Sequence, residues 1–459
     1  MSALLSESEL IAPPERAPLW RSGIHAFFTS IIAIAFAVAT NILVARALGS
    51  TGKGSYDLAL ATAALLAIAL GFSLPVGITY VVARGRANLR PLAWQLTGIA
   101  ILIGILATII LYVLRHTNLA ASLIPSDLGK WAIVLIVLSM AFSETANYWR
   151  AMLNGRQQII QANRSDLIGR AGHVLLLLLT VVVIARQNHR ATPVLFIIIN
   201  IIALLVTNLI FLKTLGAARQ PNRGASGLRE VIAYSFTCYL SNFTQFLNYR
   251  LDVFIVTYFA GLQALGLYTL AVSLGQMIWL ISKAAATVLL PNVAAFQAAN
   301  AGRTAQITRI AFAVSVASAI LLALFAVPLL PWVFGEEFRP SLTPLLWLLP
   351  GIVAFSAANV IASHLAGIGK PRLNFFVSLA GLVVTIALDL LLIPRFGIIG
   401  AAIASTLSYS TSTVVIICFF LRESTLQVRQ ILVPTREDVV LGISLMRAML
   451  QREKPVELP

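Results

Sequence analysis

Apolar residues gather into twelve long runs, at about 24–45, 58–82, 92–114, 131–151, 167–185, 193–212, 233–258, 266–290, 307–333, 342–365, 374–394 and 398–421. A helix needs about 20 mainly apolar residues to cross the hydrocarbon core of a bilayer, and every run is of that order. The strands of a membrane β-barrel are much shorter and alternate in character. The pattern therefore predicts an all-α polytopic membrane protein with about 12 transmembrane helices. The polar stretches between the runs are short, and none could fold as a soluble catalytic domain.

The two ends read differently. Residues 1–22 carry Glu7, Glu9 and Glu15 where a signal peptide would be basic, and the apolar run after Arg21 is too long for a cleaved leader. They are expected to form a cytoplasmic tail before an uncleaved first helix. The segment 422–459 is too polar to span. Within it, Thr435-Arg-Glu-Asp438 resembles a capping box ahead of Val439, Val440, Ile443, Met446 and Leu450. That favours a short helix lying on anionic lipid over a frayed tail.

Composition agrees with the runs. The chain is 59% hydrophobic and 11% charged, with a mean hydropathy of +0.90, whereas soluble domains are about 25% charged. Cys238 and Cys418 both lie in apolar runs, so neither a disulfide framework nor a zinc pattern is present. The net charge of +16 invites a nucleic-acid reading until the charges are placed. With the N-terminus inside, cytoplasmic segments hold 23 of the 33 Lys and Arg residues and outer segments hold eight. Arg250 and Lys283 fall within helices. The basic balance is thus the positive-inside bias. It predicts that both termini are cytoplasmic, and no basic patch with interleaved aromatics asks for nucleic acid.

The chain also repeats itself. Gly49, Gly54, Tyr56, Leu58 and Ala59 match Gly261, Gly266, Tyr268, Leu270 and Ala271, always at an offset of 212. Ala83, Ala87 and Asn88 match Ala295, Ala299 and Asn300 at the same offset. Each copy begins at the hairpin after the first helix of a six-helix half. Six is even, so the halves enter the membrane in the same orientation, as in the parallel repeats of transporters. The expected units are an N-terminal bundle over 23–230 and a C-terminal bundle over 231–421. Chance likeness of two apolar hairpins is the bland alternative, and the shared Gly, Tyr and Asn weigh against it.

Three segments carry a family resemblance: Asn41 to Gly49, Tyr249-Arg-Leu-Asp252 leading into Gly261–Ala271, and Leu365-Ala-Gly-Ile-Gly-Lys370 followed by Leu392-Ile-Pro-Arg-Phe-Gly397-Ile-Ile-Gly-Ala-Ala402. In order, spacing and twelve-helix context they resemble the polysaccharide flippases of the multidrug/oligosaccharidyl-lipid/polysaccharide exporter superfamily, over roughly 22–421. The resemblance implies two six-helix bundles around a central cavity. It also implies transport of polyprenyl-diphosphate-linked oligosaccharide across the bacterial inner membrane by alternating access, for export of cell-surface polysaccharide. The implied partners are that lipid-linked glycan, membrane lipid, and a proton or sodium ion for coupling.

Ionisable residues inside a bilayer are costly and usually face a cavity or a partner. On the seventh run, Thr237, Ser241, Gln245, Asn248 and Asp252 share one helical face, and on the eighth, Ser273, Gln276, Lys283 and Thr287 do so. These stripes read either as the walls of a wet cavity or as hydrogen-bonding glue in a dry bundle; their charged ends favour the cavity. Lys283 is the leading candidate for an anion contact, against pairing with Glu144 at comparable depth. Arg250 points about 200° around the helix from Asp252's neighbour Asn248, and suits either a diphosphate or a helix lock through Asp389. Glu144 and Asp389 are candidates for ion coupling, since a carboxylate in low dielectric can carry a proton, or else for structural ion pairs. Asn41 and Arg46, near the outer end of the first run, are lesser substrate candidates, with Arg46 read mainly as snorkelling. His25 and Thr29 read as structural. Pro75, Pro291, Pro328, Pro331, Pro350 and Pro394 offer hinges or ordinary kinks.

There is no Walker A sequence, no His-Glu-x-x-His and no carboxylate pair on an external loop. No cofactor is expected, and the reading is a transporter, not an enzyme. Two alternatives stay open: a cation-coupled multidrug exporter of the same superfamily and, from another class, a membrane-embedded glycan polymerase or ligase. The mixed intramembrane charges weigh against the first, and the short outer loops against the second.

Overall fold

A computed structural model describes residues 19–216, 227–296, 301–424, 426–433 and 435. Among them, nine helices are long and apolar enough to cross a membrane. Three are about twice the length required: Leu19–Gly71 and Pro371–Glu423 have 53 residues each, and Leu228–Gln276 has 49. A straight helix of 53 residues would reach about 80 Å, against roughly 30 Å of hydrocarbon. Each turns back at a glycine in the left-handed region: Gly49 (φ 66), Gly261 (φ 81) and Gly397 (φ 56). Glycine has no Cβ to oppose that conformation.

Contacts across the turns identify hairpins. Ser408 Oγ donates to the Gly381 carbonyl at 2.9 Å and Lys370 pairs with Glu423, so the segments on either side of Gly397 lie against each other along the hairpin. Around Gly261, the Tyr268 hydroxyl reaches back to Asp252. Nine helices therefore supply twelve spans. These are α1 (19–48), α2 (50–71, resuming over Leu74–Ala83), α3 (Leu89–Leu114), α4 (Ala132–Gly155), α5 (Ile159–Gln187) and α6 (Pro193–Gly216). The second set is α7 (228–260), α8 (262–276, resuming over Trp279–Phe296), α9 (Ala301–Phe334), α10 (Leu342–Gly367), α11 (371–396) and α12 (398–423). The chain is an all-α, multi-pass membrane protein.

Two features depart from the hydropathy pattern. α2 is broken at Phe72 and Ser73, both left-handed (φ 45 and 55), and α8 is interrupted at 277–278. Pro75, in the first turn of the resumed α2, has no N–H for the Gly71 carbonyl four residues back. Near the C-terminus the described helix is Val428–Leu432, capped by Gln427 and Gln430, with Ile431 buried and Arg309 donating to the Gln430 carbonyl. The expected interfacial helix after Thr435 and the N-terminal tail up to residue 18 lie outside the described residues, as do the side chains of His25 and Thr287.

The buried apolar residues gather into clusters that mostly follow the two sets of six helices, with Ala45 and Leu58 of the first set joining the large cluster of the second. Leu66, Ile103, Leu111, Leu135, Ile136 and Phe196 belong to one cluster in the first set, and Leu265, Leu270, Leu345, Ile352, Ile393 and Phe420 to one in the second. Residues such as Leu102, Val113, Leu324 and Val383 lie exposed on the outside of the bundle, as lipid-facing positions do. Trp94, Trp131, Trp332 and Trp347 are exposed near span ends, where indoles favour the membrane–water interface.

The two sets meet most tightly where α2 and α8 begin. A Cβ on Gly54 would collide with the Leu262 carbonyl, and one on Gly266 with the Ser50 carbonyl. Leu262 and Ser50 are 212 apart, as are Gly266 and Gly54, so the contact is its own mirror about a pseudo-two-fold axis. On the same axis the Thr269 hydroxyl donates to Asp57, its own repeat counterpart, which also pairs with the buried Lys53. The Arg46 guanidinium donates to the carbonyls of Val333 (2.6 Å) and Trp332, and the Ser50 N–H to Glu337 (3.0 Å). This end is therefore laced shut. A longer seam joins α2 to α7, where Gly77 abuts Val231 and Ser235, Tyr80 stacks on Tyr234 with centroids 3.8 Å apart, and the Tyr239 hydroxyl donates to the Ala69 carbonyl.

Candidate functional site

The polar stripe of α7 turns inward, toward the α11–α12 hairpin. Asn248 Oδ1 lies 3.1 Å from the Thr385 hydroxyl and 3.0 Å from that of Ser408, which also reaches Thr385. Gln245 Oε1 accepts a hydrogen bond from Ser378. Asp252 accepts one from Tyr268 at 2.5 Å, and the Tyr268 oxygen is 3.1 Å from Ser405. Gln245, Asn248 and Asp252 thus turn into the last six helices and make hydrogen bonds there, in place of the cavity wall expected of them, while Thr237 at the other end of the stripe is exposed. The physical reason is that α11 and α12 carry Ser378, Thr385, Ser405 and Ser408 at matching heights, whose hydroxyls take up the acceptor oxygens of Gln245 and Asn248 and the partner of Asp252.

This network is incomplete in one direction. Asp389 of α11 is fully buried, and neither carboxylate oxygen has a hydrogen-bond partner. Asp252 is close enough for the two charges to act on each other, and among the described residues neither makes an ion pair with Lys or Arg. The Nδ2 of Asn248 and the Nε2 of Gln245 are also without partners. Burying an uncompensated carboxylate is expensive, so Asp389, with Asp252 near it, is a group that added positive charge would relieve. Both offer oxygen, suiting a proton or a hard monovalent cation. Among the described residues no three His, Cys, Asp or Glu side chains gather as a metal cluster.

The intramembrane cations form no ion pair with those acids among the described residues, although the charge of Arg250, two residues before Asp252 on α7, acts on it. Lys283 is exposed on α8, its Nζ 5.5 Å from the centre of the Trp279 ring. Arg250 is half-buried and within electrostatic reach of Lys283. Behind them stands an aromatic wall in which Trp279, Tyr249, Phe355 and Tyr409 all touch, with ring centres 5.2–6.3 Å apart. The Trp279 N–H donates to the Ile352 carbonyl at 2.9 Å, and the Gln276 side chain bonds to Tyr409. Neither Lys283 nor Arg250 forms an ion pair among the described residues, so the expected alternatives of a Lys283–Glu144 pair and an Arg250–Asp389 lock are not made. Two like charges brought together, neither of them held in an ion pair, favour an anion beside them.

The polysaccharide biosynthesis protein family matches residues 19–297, from α1 through α8. The chain belongs to that family. The matched stretch holds Arg250, Lys283 and Glu144, while Asp389 lies beyond it. A relative from Haloferax volcanii, named a probable low-salt glycan biosynthesis flippase Agl15, is 23% identical over 408 residues, 86% of this chain and 82% of its own. Among solved structures, the lipid II flippase MurJ in an inward closed conformation superposes with a TM-score of 0.69 at 14% identity, covering 95% of this chain and 94% of its own. An inward-facing MATE multidrug transporter follows at 0.61 and 17% identity, covering 84% and 93%. At these identities the two structures speak for the fold.

The remaining sequence candidates of this family member fall elsewhere. Arg46 caps the end of α9 as described, which gives it a joining role at the closed end. Asn41 Nδ2 donates to the Ala37 carbonyl one turn back at 3.0 Å. Glu144, on α4, accepts a bond from Asn147 at 3.3 Å and faces the broken part of α2. Tyr268, Ser405, Thr385 and Ser408 were not singled out from the sequence. Tyr268 stood in the repeat, but its bond to Asp252 depends on the turn at Gly261.

Proposed function

We propose that the protein is a flippase that moves a polyprenyl-diphosphate-linked oligosaccharide across the cytoplasmic membrane of a bacterium, by alternating access between bundles 23–230 and 231–421. The observation that carries this reading is the unpaired couple Arg250 and Lys283 before an aromatic wall. Guanidinium and ammonium hold the diphosphate, the part-exposed Tyr249 and Gln276 meet the sugars, and the polyprenyl chain remains in lipid. The closed α2–α8 end supports a state open toward the other side, which the charge bias makes the cytoplasm with both termini in it. The names of the Haloferax volcanii relative and of the MurJ structure support the substrate class.

The Asp252–Asp389 pair is the proposed seat of coupling. A proton or sodium ion there neutralises one of two carboxylates that otherwise repel, and so changes how α7 packs against α11. A multidrug exporter is the second reading, favoured by that acidic pair and the MATE neighbours, and opposed by the two cations, which would repel a cationic drug.

The test is translocation of a short polyprenyl-diphosphate oligosaccharide in proteoliposomes. Wild type should flip it, and folded Lys283→Ala and Arg250→Ala should each lose roughly tenfold or more, as loss of one charge-assisted contact of about 1.5–3 kcal/mol implies. Export of a cationic dye, with no glycan flipping across several glycans, would overturn the proposal.

A further inference from the structure

The first bundle contains an acid that the coupling site above does not use. Glu144 lies in the span α4, where a carboxylate is costly unless paired. Its recorded partner is Asn147, by a 3.3 Å bond, and no Lys, Arg or His among the described residues pairs with it. Its other oxygen, Oε2, faces Gly71, the last residue before the break in α2: a Cβ built on Gly71 would lie 3.4 Å from it. The Gly71 carbonyl has Pro75 where its usual N–H donor would be. One turn along α4, Tyr148 is fully buried, its hydroxyl has no hydrogen-bond partner, and the charge acting on it is that of Glu144.

The break itself is strained. Two consecutive non-glycine residues, Phe72 and Ser73, are left-handed, a state that costs of order 1–3 kcal/mol each and persists where the surroundings demand it. Across it, α7 supplies the Tyr239 hydroxyl to the Ala69 carbonyl (2.9 Å) and Asn242 Nδ2 to Ser73 Oγ (3.1 Å). From α6, Asn208 is committed to the Trp149 indole (2.8 Å) and the Phe142 carbonyl (2.9 Å). The groups shown beside Glu144 are thus an amide (Asn147), a phenol (Tyr148) and the backbone of Gly71, with no cation among them. Broken helices whose freed carbonyls meet an acid at membrane depth are a recurrent form of ion site in transporters.

We propose that Glu144, with the freed Gly71 carbonyl and the Tyr148 hydroxyl, is a proton-binding site of the first bundle, distinct from the Asp252–Asp389 pair and acting on the hinge in α2. A proton fits this set better than a metal cation does, since these few oxygens fall short of the six or so that a hard cation gathers. When Glu144 holds the proton, its carboxylic O–H can donate to the Gly71 carbonyl and keep the break as it stands. When the proton leaves, carboxylate and carbonyl repel, and the upper segment of α2 swings from α4. Because α2 also forms the closed contact with α8 and the long seam with α7, this motion is transmitted to both.

The test needs no substrate, so its failure is separable from that of the flippase reading. In lipid nanodiscs, infrared difference spectra are recorded across a pH titration for wild type, Glu144→Gln and Asp389→Asn. Wild type should show a protonated-carboxyl C=O stretch that vanishes from Glu144→Gln and survives in Asp389→Asn, with the same amplitude in sodium and potassium buffers. Tyr148→Phe, which removes only the hydroxyl, should shift that band and serves if Glu144→Gln does not fold. A carboxyl spectrum unchanged in Glu144→Gln, or unchanged in Tyr148→Phe when the former is unfolded, would overturn the proposal. So would a band that sodium abolishes, which would make the ligand a metal cation.

Discussion

The two halves share a backbone and differ in what they bury. Gly49 and Gly261 turn alike, Gly54 and Gly266 pack against each other, and Tyr56 and Tyr268 stand at the same repeat position, both buried. In the second half Tyr268 donates to Asp252; in the first, the position 212 before that acid is Thr40. Asn248 and Gln245 likewise correspond to Phe36 and Ala33. One scaffold thus carries a polar network against α11 and α12, and its twin has a threonine and two apolar residues at the matching positions, its own intramembrane acid lying on α4 instead. The lesson is that duplication fixes where helices turn and meet, while a few side chains decide which half handles charge.

The largest effect should come from disturbing what the halves share. Gly54→Leu places a side chain where the Leu262 carbonyl sits, and because backbone must give way the cost should exceed both the about 1–3 kcal/mol of ordinary overpacking and the penalties below. The closed end should open, and a cysteine at Thr269 should become reactive to a membrane-impermeant thiol reagent added from outside. Next is an attempt to give the first half the second half's acid. Thr40→Asp should destabilise by about 2.5–3.5 kcal/mol, the insertion penalty of a mid-membrane Asp, and more when combined with Tyr56→Phe, as thermal unfolding in detergent would reveal. Equal losses with and without Tyr56 would break the proposed equivalence.

A smaller contrast isolates one hydroxyl. Tyr268→Phe strips the bond to Asp252 and should cost about 1–3 kcal/mol. Tyr56 has no hydrogen-bond partner among the described residues, so Tyr56→Phe should stay within about 0.5 kcal/mol. Arg46→Ala, which removes the cap on α9, should fall at the low end of the Tyr268→Phe range, shifting stability by about 1 kcal/mol with flipping retained.

Much of the fold is legible from hydropathy because a bilayer imposes length on every span. The repeat adds the turn at Gly261, since the same glycine recurs at Gly49. The break at Phe72 and Ser73 is not legible: neither residue favours a left-handed conformation, and only Gly71 and Pro75 flank it. The site is half legible. Periodicity puts Gln245, Asn248 and Asp252 on one face, but which way that face points depends on Ser378, Thr385, Ser405 and Ser408, which look in sequence like any small polar residues of a membrane helix. The nearness of Asp252 to Asp389 arises from α7 packing on α11, far apart in the chain. Arg250 and Lys283 stand out individually, and their meeting is a product of the α7–α8 hairpin.

The central claim is that Arg250 and Lys283 recognise a diphosphate. Equilibrium binding of a polyprenyl diphosphate and of the matching uncharged polyprenol to the purified protein tests it most directly. The account predicts that the diphosphate binds at least about tenfold more tightly, the equivalent of about 1.4 kcal/mol, and that this preference disappears in folded Arg250→Ala/Lys283→Ala. Equal binding of the charged and uncharged lipids by wild type, or a preference that survives the double substitution, would contradict it.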